Sequence, residues 1–111
     1  MKKLVDLCIF PESTCKEILV VLNDVGSRIL LVVSEDDSLL GTLTDGDIRR
    51  GLLKGLSLDD EISEFMNSSP VFQKEGGSRE DRVSIMKLHD LIAIPIVSQD
   101  GKVVDLEFLN K

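Results

Sequence analysis

The stretch ILLVVSEDDSLLG at residues 29–41 returns as AIPIVSQDGKVVD at residues 93–105, at an offset of 64 positions without a gap. In both copies an apolar run is followed by an acidic turn and a second apolar run, which is the pattern of two antiparallel strands joined by a tight turn. The same offset superimposes Thr14 on Ser78 and Leu19 on Val83, so the repeat includes the segment before the strands. The sequence therefore contains an internal duplication.

Each copy also predicts a helix and a short first strand before its strand pair. Thr14 and Glu17 have the spacing of a capping box, and apolar residues follow at helical intervals. The matching helix of the second copy is predicted over residues 79–90, behind Ser78. Short apolar pieces predict the first strands, at residues 7–10 and 71–73, and the strand pair of the second copy is predicted at residues 92–97 and 103–109.

Two further helices, at residues 45–53 and 58–66, are predicted between the copies. We therefore expect an α+β fold of two β-α-β-β-α type repeats, residues 1–57 and 58–111, packed pseudo-symmetrically. The closing helix of the second repeat is missing, because the chain stops at Lys111. The open sheet face then needs a cover from the other copy, a partner chain or sequence beyond Lys111. Pro95 predicts an edge position or a bulge in its strand.

The composition indicates a globular chain with an acidic surface. Hydrophobic residues make up 42% and charged residues 30% of the 111 positions, and the net charge is −7. This balance argues against a nucleic-acid partner, which would require a basic face. No apolar run approaches the length of a membrane span. Cys8 and Cys15 fit neither a disulfide scaffold nor a zinc pattern, so we expect a cytoplasmic protein with reduced thiols and no membrane contact.

TDGDIRR at residues 44–50 lies where a strand is predicted to end and a helix to begin. A helix N-terminus offers free backbone N–H groups and the positive end of the helix dipole, which suit an anion. The Thr44 hydroxyl and the two arginines suit a phosphate, and the Asp47 carboxylate can accept both hydroxyls of a ribose. Thr44 and Asp47 also have the spacing of a capping box, which stabilises a helix without any ligand.

LGTLTDGDIRRGL at residues 40–52 and IAIPIVSQDGKVVDLEFL at residues 92–109 resemble a tandem pair of CBS domains, a Bateman module, over about residues 6–110. TDGDIRR and LEFLN are most similar to the CBS pair at the N-terminus of bacterial sugar-phosphate nucleotidyltransferases. A similar run occurs in the CBS pair behind the sugar isomerase domain of arabinose-5-phosphate isomerases. Because the chain begins with Met1 and stops after the second hairpin, we expect a nucleotidyltransferase domain C-terminal to Lys111.

The resemblance implies a regulatory module that senses an adenine nucleotide (AMP, ADP or ATP) and modulates the attached enzyme. In the family the Thr-x-x-Asp motif binds phosphate and ribose, and adenine packs against the first two strands of the adjacent copy. The implied nucleotide-binding residues are Thr44, Asp45, Gly46, Asp47, Arg49, Arg50, Val71, Phe72, Ala93, Ile94 and Pro95. Core packing is an alternative role for the apolar members. The offset replaces Thr44 by Phe108 and Asp47 by Lys111, so we expect one good site per chain.

Two other functions remain open. CBS pairs dimerise through helix faces, so the chain is expected to form a homodimer, and dimerisation could be its whole function if the nucleotide site is vestigial. A stand-alone enzyme finds no catalytic constellation, because His89 is the only histidine and lies at a helix end. The acidic groups at residues 35–37 and 59–61 indicate a solvated turn and a helix start rather than a metal site.

Overall fold

The computed structural model describes residues 3–110. In the first repeat the elements are β1 (Cys8–Ile9), α1 (Cys15–Val25), β2 (Ile29–Val33), β3 (Leu39–Thr44) and α2 (Asp45–Leu53). In the second repeat they are β4 (Gln73–Lys74), α3 (Arg79–Leu88), β5 (Ala93–Val97) and β6 (Val103–Phe108). The predicted α+β fold of two repeats is confirmed, and the described part of the second repeat has no closing helix.

Each repeat forms a three-stranded sheet with the same topology. The strand orders are β1-β2-β3 and β4-β5-β6, with the first pair of each sheet parallel and the second antiparallel. Pro95 lies on the central strand β5, so its predicted edge position is wrong. A register shift does follow between Ile96 and Val97, but β2 shows the same shift between Val32 and Val33 without a proline. The bulge therefore belongs to the repeat and does not depend on Pro95.

The two sheets meet at their hairpin turns around a pseudo-twofold axis. The Leu39 N–H donates to the Gly101 carbonyl at 3.2 Å, and the Val103 N–H donates to the Asp37 carbonyl at 2.9 Å. These two bonds exchange under the offset of 64 positions. Lys102 adds a bond from its Nζ to the Asp36 carboxylate at 3.0 Å. The expected pseudo-symmetric packing of the repeats is thus built from paired backbone groups.

The predicted helix over residues 58–66 is wrong, because only a 3-10 turn forms there, at Ile62–Glu64. The backbone of this linker bonds to the first repeat instead. The carbonyls of Asp60 and Leu58 accept from the first N–H groups of α1, and Asn67 exchanges two backbone bonds with Thr42 at the edge of β3. Residues 58–67 therefore pack on the first repeat, across the boundary expected at residue 57. The first strand of the second repeat also lies later than predicted, at Gln73–Lys74.

The hydrophobic core is divided unequally between the repeats. The larger cluster surrounds β2, whose five residues are all buried, and includes Ile62 and Phe65 from the linker. The smaller cluster is formed by Met86, Ile94 and Ile96 with partly buried neighbours. Within residues 3–110 no helix combines the length and the apolar composition that crossing a bilayer requires.

Three buried apolar positions of the first repeat carry charges in the second. The offset places Arg79, Arg82 and Glu107 on Cys15, Ile18 and Leu43, and we name the former three the charged cluster. Glu107 is only 7% exposed and accepts from Arg79 Nη1 at 2.7 Å and from Arg82 Nε at 2.9 Å. Arg79 also donates to the carbonyls of Phe108 and Leu109. The second repeat thus joins its helix to its last strand by ion pairs where the first uses apolar packing.

Acid is expected to destabilise the protein partly through Glu107. The Arg82 hydrogen bond, followed by Arg79, holds the pKa of the Glu107 carboxyl below its ordinary value, against the opposite effect of burial. Because the folded-state pKa is depressed, this stabilisation is complete above the unfolded-state pKa of about 4.3 and is lost as pH falls through the folded-state value. Thermal unfolding from about pH 7 to about pH 3 should therefore lose stability more steeply in the wild type than in Glu107→Gln.

Other carboxyls do not confuse this comparison. The pKa values of Glu17, Asp36 and Asp100 are also lowered, by hydrogen bonds from Thr14, Ser34 and Ser98 respectively, but these groups titrate in both proteins. Equal pH slopes for the wild type and Glu107→Gln would contradict the assignment.

Candidate functional site

A cleft of about 1270 Å³ opens between the repeats. Its walls include residues 27–29, which lead into β2, and residues 91–93, which lead into β5. These two segments are related by the repeat offset, so the cleft crosses the pseudo-twofold axis. The first repeat adds the N-terminal turn of α2, whereas the described chain ends before an equivalent helix in the second. The cleft is therefore asymmetric, with one helix N-terminus facing it.

Thr44 and Asp47 form a complete capping box at the start of α2. The Thr44 Oγ1 accepts from the Asp47 N–H at 3.2 Å, and the Asp47 Oδ2 accepts from the Thr44 N–H at 2.9 Å and from its hydroxyl at 3.0 Å. The capping role considered for this motif, which stabilises the helix without any ligand, is therefore present in the structure. The Thr44 hydroxyl uses its one proton on Asp47, so it does not offer that proton to a phosphate as expected.

The two arginines of the motif differ in how firmly they are held. Arg50 Nη2 donates to the Asp47 Oδ1 at 2.8 Å, whereas Arg49 Nη1 lies 3.9 Å from Asp45 between two exposed side chains. The cleft also contains two further cations and two further anions: Arg28, Lys54, Glu64 and Asp90. Its charges thus balance in a chain with a net charge of −7, which makes the cleft less repulsive to an anion than the average surface.

The structure places seven of the eleven expected site residues along the cleft: Thr44, Asp45, Gly46, Asp47, Arg49, Arg50 and Ala93. The other four lie elsewhere. Ile94 and Pro95 are fully buried in β5, Val71 packs against the smaller core cluster, and Phe72 is exposed. Val71 and Phe72 also precede β4, so they are not on the strand predicted to carry them.

Sequence reasoning missed several cleft residues. Ser27 and Arg28 line the cleft beside Ile29. The repeat offset to residues 91–93 is the signal that points to them. Met66 and Asn67 line the cleft because the linker returns to β3, and no sequence signal indicated this return.

Phe108 occupies the position that the repeat offset relates to Thr44. It is half-buried, and its carbonyl accepts a hydrogen bond from Arg79 at 3.1 Å. The mate of Asp47 is Lys111, which lies outside the described residues. A weak or empty second site stays a prediction. Among the described residues the cleft is lined by neither histidine nor cysteine, and burial raises the pKa of both the Cys8 and Cys15 thiols. The chemistry that the cleft offers is binding by hydrogen bonds and charge.

Two duplicated α+β halves, joined at their hairpin turns around a cleft at one helix N-terminus, define a two-repeat module. Residues 1–54 match the family model of the CBS domain. This match covers almost half of the chain, so the first repeat is similar to a CBS domain, and the described residues of the second repeat have the same strand and helix order without a closing helix.

Solved CBS-protein structures share the fold over nearly the whole chain. CBSX2 in complex with AMP superposes with a TM-score of 0.82 at 19% identity, over 91% of this chain and 79% of that chain. The cytosolic domain of the Mg²⁺ channel MgtE in complex with ATP gives a TM-score of 0.82 at 20% identity, over 94% of this chain and 42% of that chain.

Relatives by sequence include enzymes. The probable arabinose 5-phosphate isomerase of Haemophilus influenzae is 35% identical over 103 residues, which cover 88% of this chain and 29% of the relative. The chain spans about a third of the length of the curated relatives it matches. The expected nucleotidyltransferase partner gains no support from this relationship.

Proposed function

We propose that this chain is a regulatory module whose cleft binds an adenine nucleotide and thereby modulates an attached enzyme. The observation that carries the proposal is the position of the α2 N-terminus, with Asp47 and Arg50, opposite the two loops that precede β2 and β5. The AMP complex of CBSX2 and the ATP complex of MgtE support this ligand class, because both proteins have this fold.

The cleft residues suggest how a nucleotide is held. A phosphate at the N-terminus of α2 meets free N–H groups beside Gly46, and Asp47 lies within the same turn to accept a ribose hydroxyl. Ile29, Met66 and Ala93 supply apolar contacts for the base. Because the walls come from both repeats, a ligand that touches both favours one relative arrangement of the halves. This difference in affinity between arrangements is the source of regulation.

Removing the Asp47 carboxylate is expected to weaken AMP binding about tenfold or more, since it eliminates a hydrogen bond to a charged group. Isothermal calorimetry of the chain with AMP, ADP and ATP, compared with Asp47→Ala, measures this. Glu17→Ala is the matched control, because it deletes the equivalent carboxylate of the α1 capping box, outside the cleft. Absence of heat with all three nucleotides, or equal losses in both variants, would contradict the proposal.

We further propose that the attached enzyme is a sugar-phosphate isomerase in the cytoplasm. The support is the isomerase relative in Haemophilus influenzae and the length of that relative outside the matched region. The test is to assay the full-length gene product for isomerisation of arabinose 5-phosphate, with and without AMP. Absence of turnover would contradict the isomerase assignment. Turnover whose rate no adenine nucleotide changes would contradict the regulatory role.

A dimerisation scaffold with a vestigial site is the second candidate. Leu53 at the end of α2 and Leu88 at the end of α3 are 81% and 79% exposed, and Leu52, next to Leu53 in the chain, is 38% exposed. Burying such side chains between two copies is favourable, so helix faces are the surface we assign to a homodimer. Light scattering that shows a dimer, together with calorimetry that shows no nucleotide response, would favour this function over regulation.

A further inference from the structure

Three hydrogen bonds engage the Asp47 carboxylate. Oδ2 accepts two bonds from Thr44, one from the N–H and one from the hydroxyl, and Oδ1 accepts from Arg50 Nη2 at 2.8 Å. A carboxylate has about four acceptor positions, two on each oxygen. Asp47 therefore keeps one free position, on Oδ1, whereas the adjacent hydroxyls of a ribose bring two donors.

The guanidinium of Arg50 lies over the start of α2. A Cβ atom built on Gly46 would be 3.1 Å from Arg50 Nη1 and 3.5 Å from Nη2. A cation at the positive end of a helix dipole is unfavourable, and here the ion pair with Asp47 holds it in place. The Asp47 side chain is 15% exposed and that of Arg50 is 60% exposed, so Arg50 is the partner that can move.

We propose that Arg50 is a latch that makes the cleft selective for phosphorylated nucleosides; this inference rests on the function proposed above. Arg50 is held on Asp47 and occupies one acceptor position of Oδ1. A phosphate arriving at the N-terminus of α2 draws the guanidinium away, because a planar fork binds phosphate oxygens in bidentate fashion. Oδ1 then regains its second acceptor position for the ribose. A nucleoside without phosphate cannot draw Arg50 away from Asp47. It therefore meets a carboxylate with only one free acceptor position.

The latch predicts opposite effects of one substitution on two ligands. In Arg50→Met, AMP affinity should fall roughly 10- to 100-fold, as for the loss of a hydrogen bond between charged groups, whereas adenosine affinity should stay level or rise. The preference of the wild type for AMP over adenosine should therefore collapse. Lys16→Met is the control, because Lys16 is an exposed cation in the first turn of α1 and does not line the cleft, and it should keep the preference.

Calorimetry of AMP and adenosine on the wild type, Arg50→Met, Arg50→Lys and Lys16→Met tests the latch. Arg50→Lys retains the charge without the planar fork and should restore the AMP preference only in part. Wild-type AMP affinity in Arg50→Met, or equal losses for AMP and adenosine, would overturn the latch and leave the proposed function standing. A wild-type chain that binds no nucleotide would overturn both.

Discussion

Replacement of Glu107 by alanine is expected to lower the free energy of unfolding by roughly 2–3 kcal/mol. Removing one partner of a buried ion pair costs about 3–5 kcal/mol, because the remaining charge stays buried without compensation. Arg79, at 39% side-chain exposure, can reach solvent and reduces that cost, whereas Arg82 is more enclosed. For a chain of this size the midpoint of thermal unfolding should fall by about 10–15 °C. Differential scanning calorimetry at neutral pH measures the change.

The pairing, rather than the bulk of Glu107, is the claimed cause. Arg82→Ala combined with Glu107→Ala in a double-mutant cycle should give a coupling energy of at least about 1 kcal/mol. Lys102→Ala serves as the control, because its ion pair with Asp36 joins partly exposed side chains and should contribute about 0.5 kcal/mol or less. If Glu107→Ala and Lys102→Ala prove equally mild, the charged cluster does not stabilise the second repeat.

The sequence predicted the repeat and most of the fold because the duplicated segments are strongly patterned. The acidic turns at residues 35–38 and 99–102 and the capping box of Thr14 and Glu17 act locally, so their structures follow from neighbouring residues. The helix predicted over residues 58–66 was wrong because its helix-like spacing competes with tertiary backbone hydrogen bonds to residues 13–16 and 42. Hydrogen-bond partners this far away in the chain do not change the hydrophobic periodicity of the linker, so that periodicity cannot reveal them.

The site was predictable where one local motif builds it and unpredictable where two repeats meet. Thr44 to Arg50 form the N-cap and nearly two turns of one helix, and their arrangement follows from that helix. The bond from Arg50 to Asp47 spans three residues and lies within reach of helical spacing reasoning. Ile94 and Pro95 are neighbours on the central strand β5 and point to opposite faces, yet both are buried, because all five residues of that strand are covered. The apolar sequence predicts this burial, but it does not show which of the residues reach the cleft.

Replacement of Gly51 by valine is expected to lower the free energy of unfolding by about 3 kcal/mol, the upper end of the range for overpacking a core. Gly51 lies inside α2, where a Cβ atom would be 2.7 Å from Cε2 of Phe65 and 3.1 Å from Cδ1 of Leu56. Phe65 is buried in the larger core cluster and has little room to retreat. Helix propensity cannot offset the clash, since valine exceeds glycine by only a few tenths of a kcal/mol. Urea unfolding should show a lower midpoint.

Gly46→Val is the matched control in the same helix, and it separates stability from binding. Its Cβ atom would meet only the flexible ends of Arg50 and Arg49, so the free energy of unfolding should change by about 0.5 kcal/mol or less. The added methyl groups would nevertheless fill the approach to the α2 N–H groups, so AMP binding should be lost. If Gly51→Val were as stable as the wild type, the side chain of Phe65 would not be packed tightly against α2. A Gly46→Val chain that still binds AMP would show that the phosphate does not reach this helix N-terminus.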